Sequence, residues 1–207
     1  PEIFFEEQIH EIRRIHPDQN QIKKATEVIK NSKQPIIISG GGVLYSEAEK
    51  ELSNFAMKNN IPVVQTVMGF GSMLKDDPYN IGPIGGLGGK AANDIAKETD
   101  LAIAIGTKLG DFTTGSWANF ENPNFKLICV NVARYDANKH LAQPIVGDAK
   151  LSMKKMSEYL GDWKSNNTWI NSAREGYKQW NEYIDEQISP TNQELPSYVQ
   201  AVGAVYK

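Results

Sequence analysis

Glycine is the residue whose spacing in this chain comes nearest to chemistry. Four segments stand out: Gly40-Gly41-Gly42, Gly69-Phe70-Gly71-Ser72, Gly82 through Gly89, and Gly106 through Gly115. Glycine lets backbone approach a ligand closely, and a helix opened by such a loop offers N–H groups and a dipole to phosphate. Gly40, Gly41, Gly42, Gly106 and Lys108 are therefore the candidate cofactor-binding residues, with tight turns and a solvated lysine as the alternative. A dinucleotide fingerprint needs G-x-G-x-x-G after the first strand and an acid about 20 residues on. Here Gly40-Gly41-Gly42-Val43-Leu44-Tyr45 lacks the last glycine, and Thr66 stands where an acid would hold a ribose. A free-standing NAD enzyme is disfavoured.

The other reactive side chains do not assemble. His10, His16 and His140 are scattered, with no Cys or carboxylate at ligand spacing, so no metal site is expected. Asp111 and Asp148 both follow strands; Asp111 could orient a polar ligand, but a turn or helix cap is the commoner role for either. Cys129 sits in the apolar run 126–132 and reads as a buried strand thiol rather than a nucleophile. No serine occupies a G-x-S-x-G elbow. No catalytic residue can be named on this chain.

The elements that would position these residues follow from an alternation of apolar runs and helical patterns. Strands are expected at Pro35–Ser39, Ile61–Thr66, Leu101–Thr107, Leu127–Val132 and Pro144–Gly147. The runs are continuous, as in strands covered on both faces. Helices fill the gaps at about 18–31, 46–59, 88–98 and 149–160, with Ser46 as an N-cap and Glu49 in the capping-box position. This is an α/β chain with a Rossmann-like parallel sheet flanked by helices. Ligands of such sheets bind outside the C-terminal strand edges, where the glycine segments would gather.

Composition bounds the rest. The chain has 207 residues, with 22 Lys and Arg against 25 Asp and Glu, a net charge of −3. That balance argues against phosphate-dominated nucleic-acid binding. No window approaches the roughly 18 apolar residues of a membrane span, and the start resembles no secretory signal, so a cytoplasmic domain is expected. Residues 1–17 read as a lead-in linker and 18–161 as the Rossmann-like domain. Residues 162–194 form an aromatic-rich helix and linker, with Trp169, Ala173, Tyr177, Trp180 and Ile184 on one face. Residues 195–207 read as the start of a following domain, and the chain looks cut at both ends.

Lys33 through Val43 resembles the opening strand of the central domain in thiamine-diphosphate-dependent enzymes of the acetolactate synthase superfamily, and Ile61-Pro62-Val63-Val64 and Gly147-Asp148-Ala149 resemble its later landmarks. Gly106-Thr107-Lys108-Leu109-Gly110-Asp111-Phe112-Thr113-Thr114-Gly115-Ser116-Trp117, then Asn131-Val132 and 136–140, is similar to the trihydroxycyclohexane-1,2-dione hydrolase branch of myo-inositol catabolism. The resemblance implies an intact enzyme that opens a cyclic polyhydroxy dione to 5-deoxyglucuronate by C–C hydrolysis. It implies thiamine diphosphate and Mg²⁺ held by flanking pyrimidine- and diphosphate-binding domains, and a homo-oligomer. The activating glutamate and the Gly-Asp-Gly motif belong to those domains, so this segment alone is expected to be inactive. Flavin-carrying relatives usually show Arg-Phe-Asp after the glycine equivalent to Gly106, where this chain has Lys108-Leu109-Gly110-Asp111. Three readings stand: a scaffold domain of such a hydrolase, a nucleotide-binding (ADP or FAD) regulatory module of a related lyase, and a free-standing Rossmann-like enzyme.

Overall fold

Short β-branched runs, buried on both faces, build a six-stranded parallel sheet in the computed structural model. The structure describes residues 2–7, 13–191 and 195–206. In chain order the elements are α1 (Gln19–Lys30), β1 (Pro35–Ser39), α2 (Gly41–Tyr45), α3 (Glu49–Asn59), β2 (Val63–Gln65), β3 (Asn80–Pro83), α4 (Lys90–Glu98) and β4 (Leu101–Ile105). Then come α5 (Asp111–Thr114), β5 (Lys126–Asn131), α6 (Arg134–Ala137), β6 (Gln143–Val146), α7 (Ala149–Leu160), α8 (Asn167–Ile188) and α9 (Tyr198–Tyr206). The strand order is β3-β2-β1-β4-β5-β6, the doubly wound arrangement, whose direction reverses between β1 and β4.

Alternation along each strand feeds two separate cores. Ile37, Ile103, Ile105, Ile128, Val130 and Ile145 point to the face covered by α1, α3 and α7. Ile36, Ile38, Ala102, Ala104, Leu127 and Cys129 point to the face covered by α4 and α8. On β4 the first face takes leucine and isoleucine, and the second takes alanine. That small-residue floor belongs to the same core cluster as Trp169 of α8, whose Nε1–H donates to Pro35 O at 2.8 Å. Tyr177 and Trp180 continue the stripe, over Gly82 and against Gly89. The expected aromatic-faced helix is thus a cover for the second core.

Side-chain caps fix several helix starts. Asp18 accepts from Gln21 N, Asp148 from Leu151 N and Asn166 from Thr168 N. The capping box at Ser46 does not form. Ser46 instead ends α2, α3 begins at Glu49 after Ala48, and the Ser46 hydroxyl donates to Asp148 Oδ2 at 2.8 Å. The second strand is shorter than the apolar run suggests, covering only Val63–Gln65. β3 lies in a segment that reads as loop, because Asn80-Ile81-Gly82-Pro83 is rich in turn formers. It is tolerated as an edge strand, where proline's missing N–H costs no ladder bond.

Candidate functional site

Two loops diverge at the point where strand order reverses, one after β1 and one after β4. They meet first through backbone: Gly40 N donates to Ile105 O at 2.9 Å, and Gly42 N to Gly106 O at 2.9 Å. A Cβ on Gly40 would lie 2.4 Å from Gly106 O, and one on Gly42 would lie 2.6 Å from Gly106 Cα. Gly106 itself has φ +64°, a left-handed conformation that side chains resist. No side chain fits between these loops. Gly69 packs as tightly behind them, since its Cβ would lie 2.2 Å from Ser39 O.

Beyond this contact the loops open into a cleft of about 890 Å³ along the C-terminal sheet edge. Gly41, Gly42, Gly106 and Lys108 line it, as do Tyr45, Thr66 and Asn131. Gly40 does not; it lies at the loop contact. Lys108 is exposed, and no described carboxylate pairs with it. Thr66 occupies the end of β2, where its hydroxyl accepts from Gly69 N at 3.1 Å. Asn131 closes β5, donating to Thr107 O at 3.1 Å and accepting from Ala133 N at 2.9 Å.

The Asp111–Trp117 motif forms one wall. Gly115, Ser116 and Trp117 have φ of +59°, +54° and +71°, a left-handed turn that is costly for the last two. Ser116 N bonds Asp111 O at 3.2 Å, and the Trp117 ring lies 4.5 Å from His140 and 5.6 Å from Phe120. These contacts hold the turn and leave Phe112 and Thr113 on the cleft. Asp111 is exposed at the start of α5 and outside the lining. Gly82 is part of β3 rather than of a ligand loop.

Asp148 is not a free acid. Its Oδ1 caps α7, while Oδ2 accepts from Ser46 Oγ at 2.8 Å and Arg14 Nη1 at 3.0 Å. Burial pushes its carboxyl up, but the Ser46, Leu151 and Arg14 donors outweigh that and hold it below the usual carboxylate range. Burial, then the charge of Asp136, pushes the Cys129 thiol up to about 12, so it is no nucleophile. His16 and His140 stand apart, and His10 lies outside the described residues. Among the described residues no cluster of three or more His, Cys, Asp or Glu is placed for a metal. Arg13, Tyr45 and Met68 also line the cleft, and nothing local in the sequence marks them as site residues, because the sheet edge brings them in.

The family model described as "Thiamine pyrophosphate enzyme, central domain" matches residues 22–156. The chain belongs to this family. The match runs from α1 to α7, so it takes in the whole sheet and all of the cleft lining except Arg13 and Ile15. A Clostridium perfringens (strain 13 / Type A) protein named 3D-(3,5/4)-trihydroxycyclohexane-1,2-dione hydrolase is 40% identical over 182 residues, covering 88% of this chain and 28% of the relative. Relatives of the same name from Clostridium botulinum (strain Alaska E43 / Type E3) and Geobacillus thermodenitrificans are 41% and 36% identical. They cover 86% and 99% of this chain, and 27% and 33% of their own lengths. The chain therefore spans about a third or less of the curated relatives it matches. The carboxylate of Gly147-Asp148-Ala149 is already held by three protein donors, and among the described residues no cluster of acids and histidines stands ready for the metal of thiamine diphosphate.

Proposed function

We propose that this chain is the central scaffold domain of a hydrolase that opens 3D-(3,5/4)-trihydroxycyclohexane-1,2-dione to 5-deoxyglucuronate. The observation that carries the reading is the 40% identity over 88% of the chain to a relative bearing that hydrolase name. Thiamine diphosphate, when bound, supplies carbanion stabilisation for C–C cleavage. Flanking pyrimidine- and diphosphate-binding domains of a cytoplasmic homo-oligomer would hold it, with Mg²⁺. This chain's part is mechanical. Gly40 N, Gly42 N and Val43 N all donate to backbone carbonyls, which supports a loop-locking role for the glycines over a phosphate cradle. α2 has only five residues, so few peptide dipoles add up at its start.

The gene product that carries this sequence, supplied with thiamine diphosphate and Mg²⁺, is expected to convert the dione to the acid, followed by chromatography of both. Turnover of a 2-keto acid with no loss of dione would instead place the chain in a lyase.

A second reading has one observation in its favour, the cleft at the reversal point with the Lys108 amine on its wall. On that reading Gly41, Gly42, Gly106 and Lys108 hold ADP or FAD, with Gly40 behind them at the loop contact. Titration with ADP and with FAD under a melting assay separates the two: a saturable rise in Tm supports the nucleotide module, and an unmoved Tm supports the scaffold.

A further inference from the structure

One wall of the cleft belongs to neither the sheet nor its crossovers. Residues 13–17 run without helix or strand bonding past the C-terminal sheet edge, and Arg13 and Ile15 line the cleft. The segment is anchored at few points. Ile15 O accepts from Asp148 N at 2.8 Å, and Pro17 packs on Gly147, where a Cβ would lie 3.0 Å from its Cα. The remaining anchor is the Arg14 side chain. Its Nη1 donates to Ser46 O at 2.7 Å and Asp148 Oδ2 at 3.0 Å, and its Nη2 lies 3.5 Å from Glu47 Oε2.

The socket that receives Arg14 is itself held in an uncommon shape. Glu47 has φ +50°, and its carbonyl accepts from Lys150 Nζ at 3.0 Å. Ser46 Oγ bonds the same Asp148 oxygen that Arg14 uses. One guanidinium thus ties together the lead-in, the turn between α2 and α3, and the start of α7. Its planar fork suits this better than a single ammonium would.

We propose that residues 13–17 are a strap, latched by Arg14 in the socket of Ser46, Glu47 and Asp148, that forms an openable wall of the switch-point cleft. Arg14 acts as a positioning residue. Releasing it frees the strap and loosens the Ser46–Glu47 turn, so the entry of the chain and the shape of the cleft are coupled through one side chain. This holds whichever ligand or reaction the cleft serves.

Limited trypsin digestion of the 207-residue chain, followed by mass spectrometry, tests the latch. Cleavage after Arg14 requires the side chain to leave its socket, so its rate tracks the open population. Asp148→Asn removes the charge but keeps a good N-cap for α7, and is expected to speed that cleavage about tenfold beyond any change at the other sites. Arg14→Lys keeps the tryptic site, loses the fork, and is expected to accelerate the same cut. Hydrogen exchange is expected to rise together in residues 13–17 and 45–48 of both variants. An unchanged cut after Arg14, acceleration at all sites alike, or exchange rising in 13–17 alone would overturn the proposal.

Discussion

Two oxygens on Asp148 serve three partners: the first turn of α7, the Ser46 hydroxyl and the Arg14 guanidinium. Its carboxyl titrates below the ordinary range because those donors outweigh burial. The group is deprotonated more readily folded than unfolded, so its stabilisation is complete above the unfolded pKa of about 3.9 and is lost as pH falls through the lower folded value. Asp148→Asn is therefore expected to cost about 1–3 kcal/mol near pH 7. The gap to the parent should close as pH drops below about 3.9, and urea melts across pH 3 to 7 check this. Cys129 is a plainer case. With burial pushing its thiol up to about 12, it should stay unmodified by a thiol reagent at pH 8 in the native chain and react fully in denaturant.

At the scale of elements, the β1 and β4 loops are joined by absence of side chain. Gly106→Ala would place a methyl 2.6 Å from Gly42 Cα and force φ +64° on alanine. Left-handed strain and overpacking together predict a loss of about 3 kcal/mol, read by equilibrium denaturation. Much of this architecture is legible in the sequence. Leu101 to Ile105 and Pro35 to Ser39 are apolar enough on both sides to read as central strands, and Asp148 before α7 reads as a cap. What escapes is set by distant partners. Ser46 resembles a local cap, but its hydroxyl goes to an aspartate 102 residues away. β3 looks like a turn, yet Asn80 Oδ1 accepts from Gln65 Nε2 at 3.0 Å and Gly82 N at 2.9 Å, pinning it to the sheet edge. The glycine loops were visible as candidates, but their mutual contact depends on two strands becoming neighbours across the reversal point.

Across the whole molecule, one group of exposed apolar side chains gathers at the C-terminal edge of the sheet. Val67, Met68, Phe70 and Leu74 are 57–81% exposed on the loop after β2, and Phe112 is 76% exposed across the cleft from the first two. Such a patch on a charged chain supports the proposal that further domains cover this edge in the intact hydrolase. Among the described residues no helix is long and apolar enough to cross a membrane. The division of labour between this domain and its neighbours is tested by one comparison: dione hydrolysis by the complete gene product against hydrolysis by these 207 residues, both with thiamine diphosphate and Mg²⁺. Cofactor-dependent ring opening is expected from the complete product and none from this segment. Ring opening by the segment alone, or none by the complete product, would contradict that division of labour.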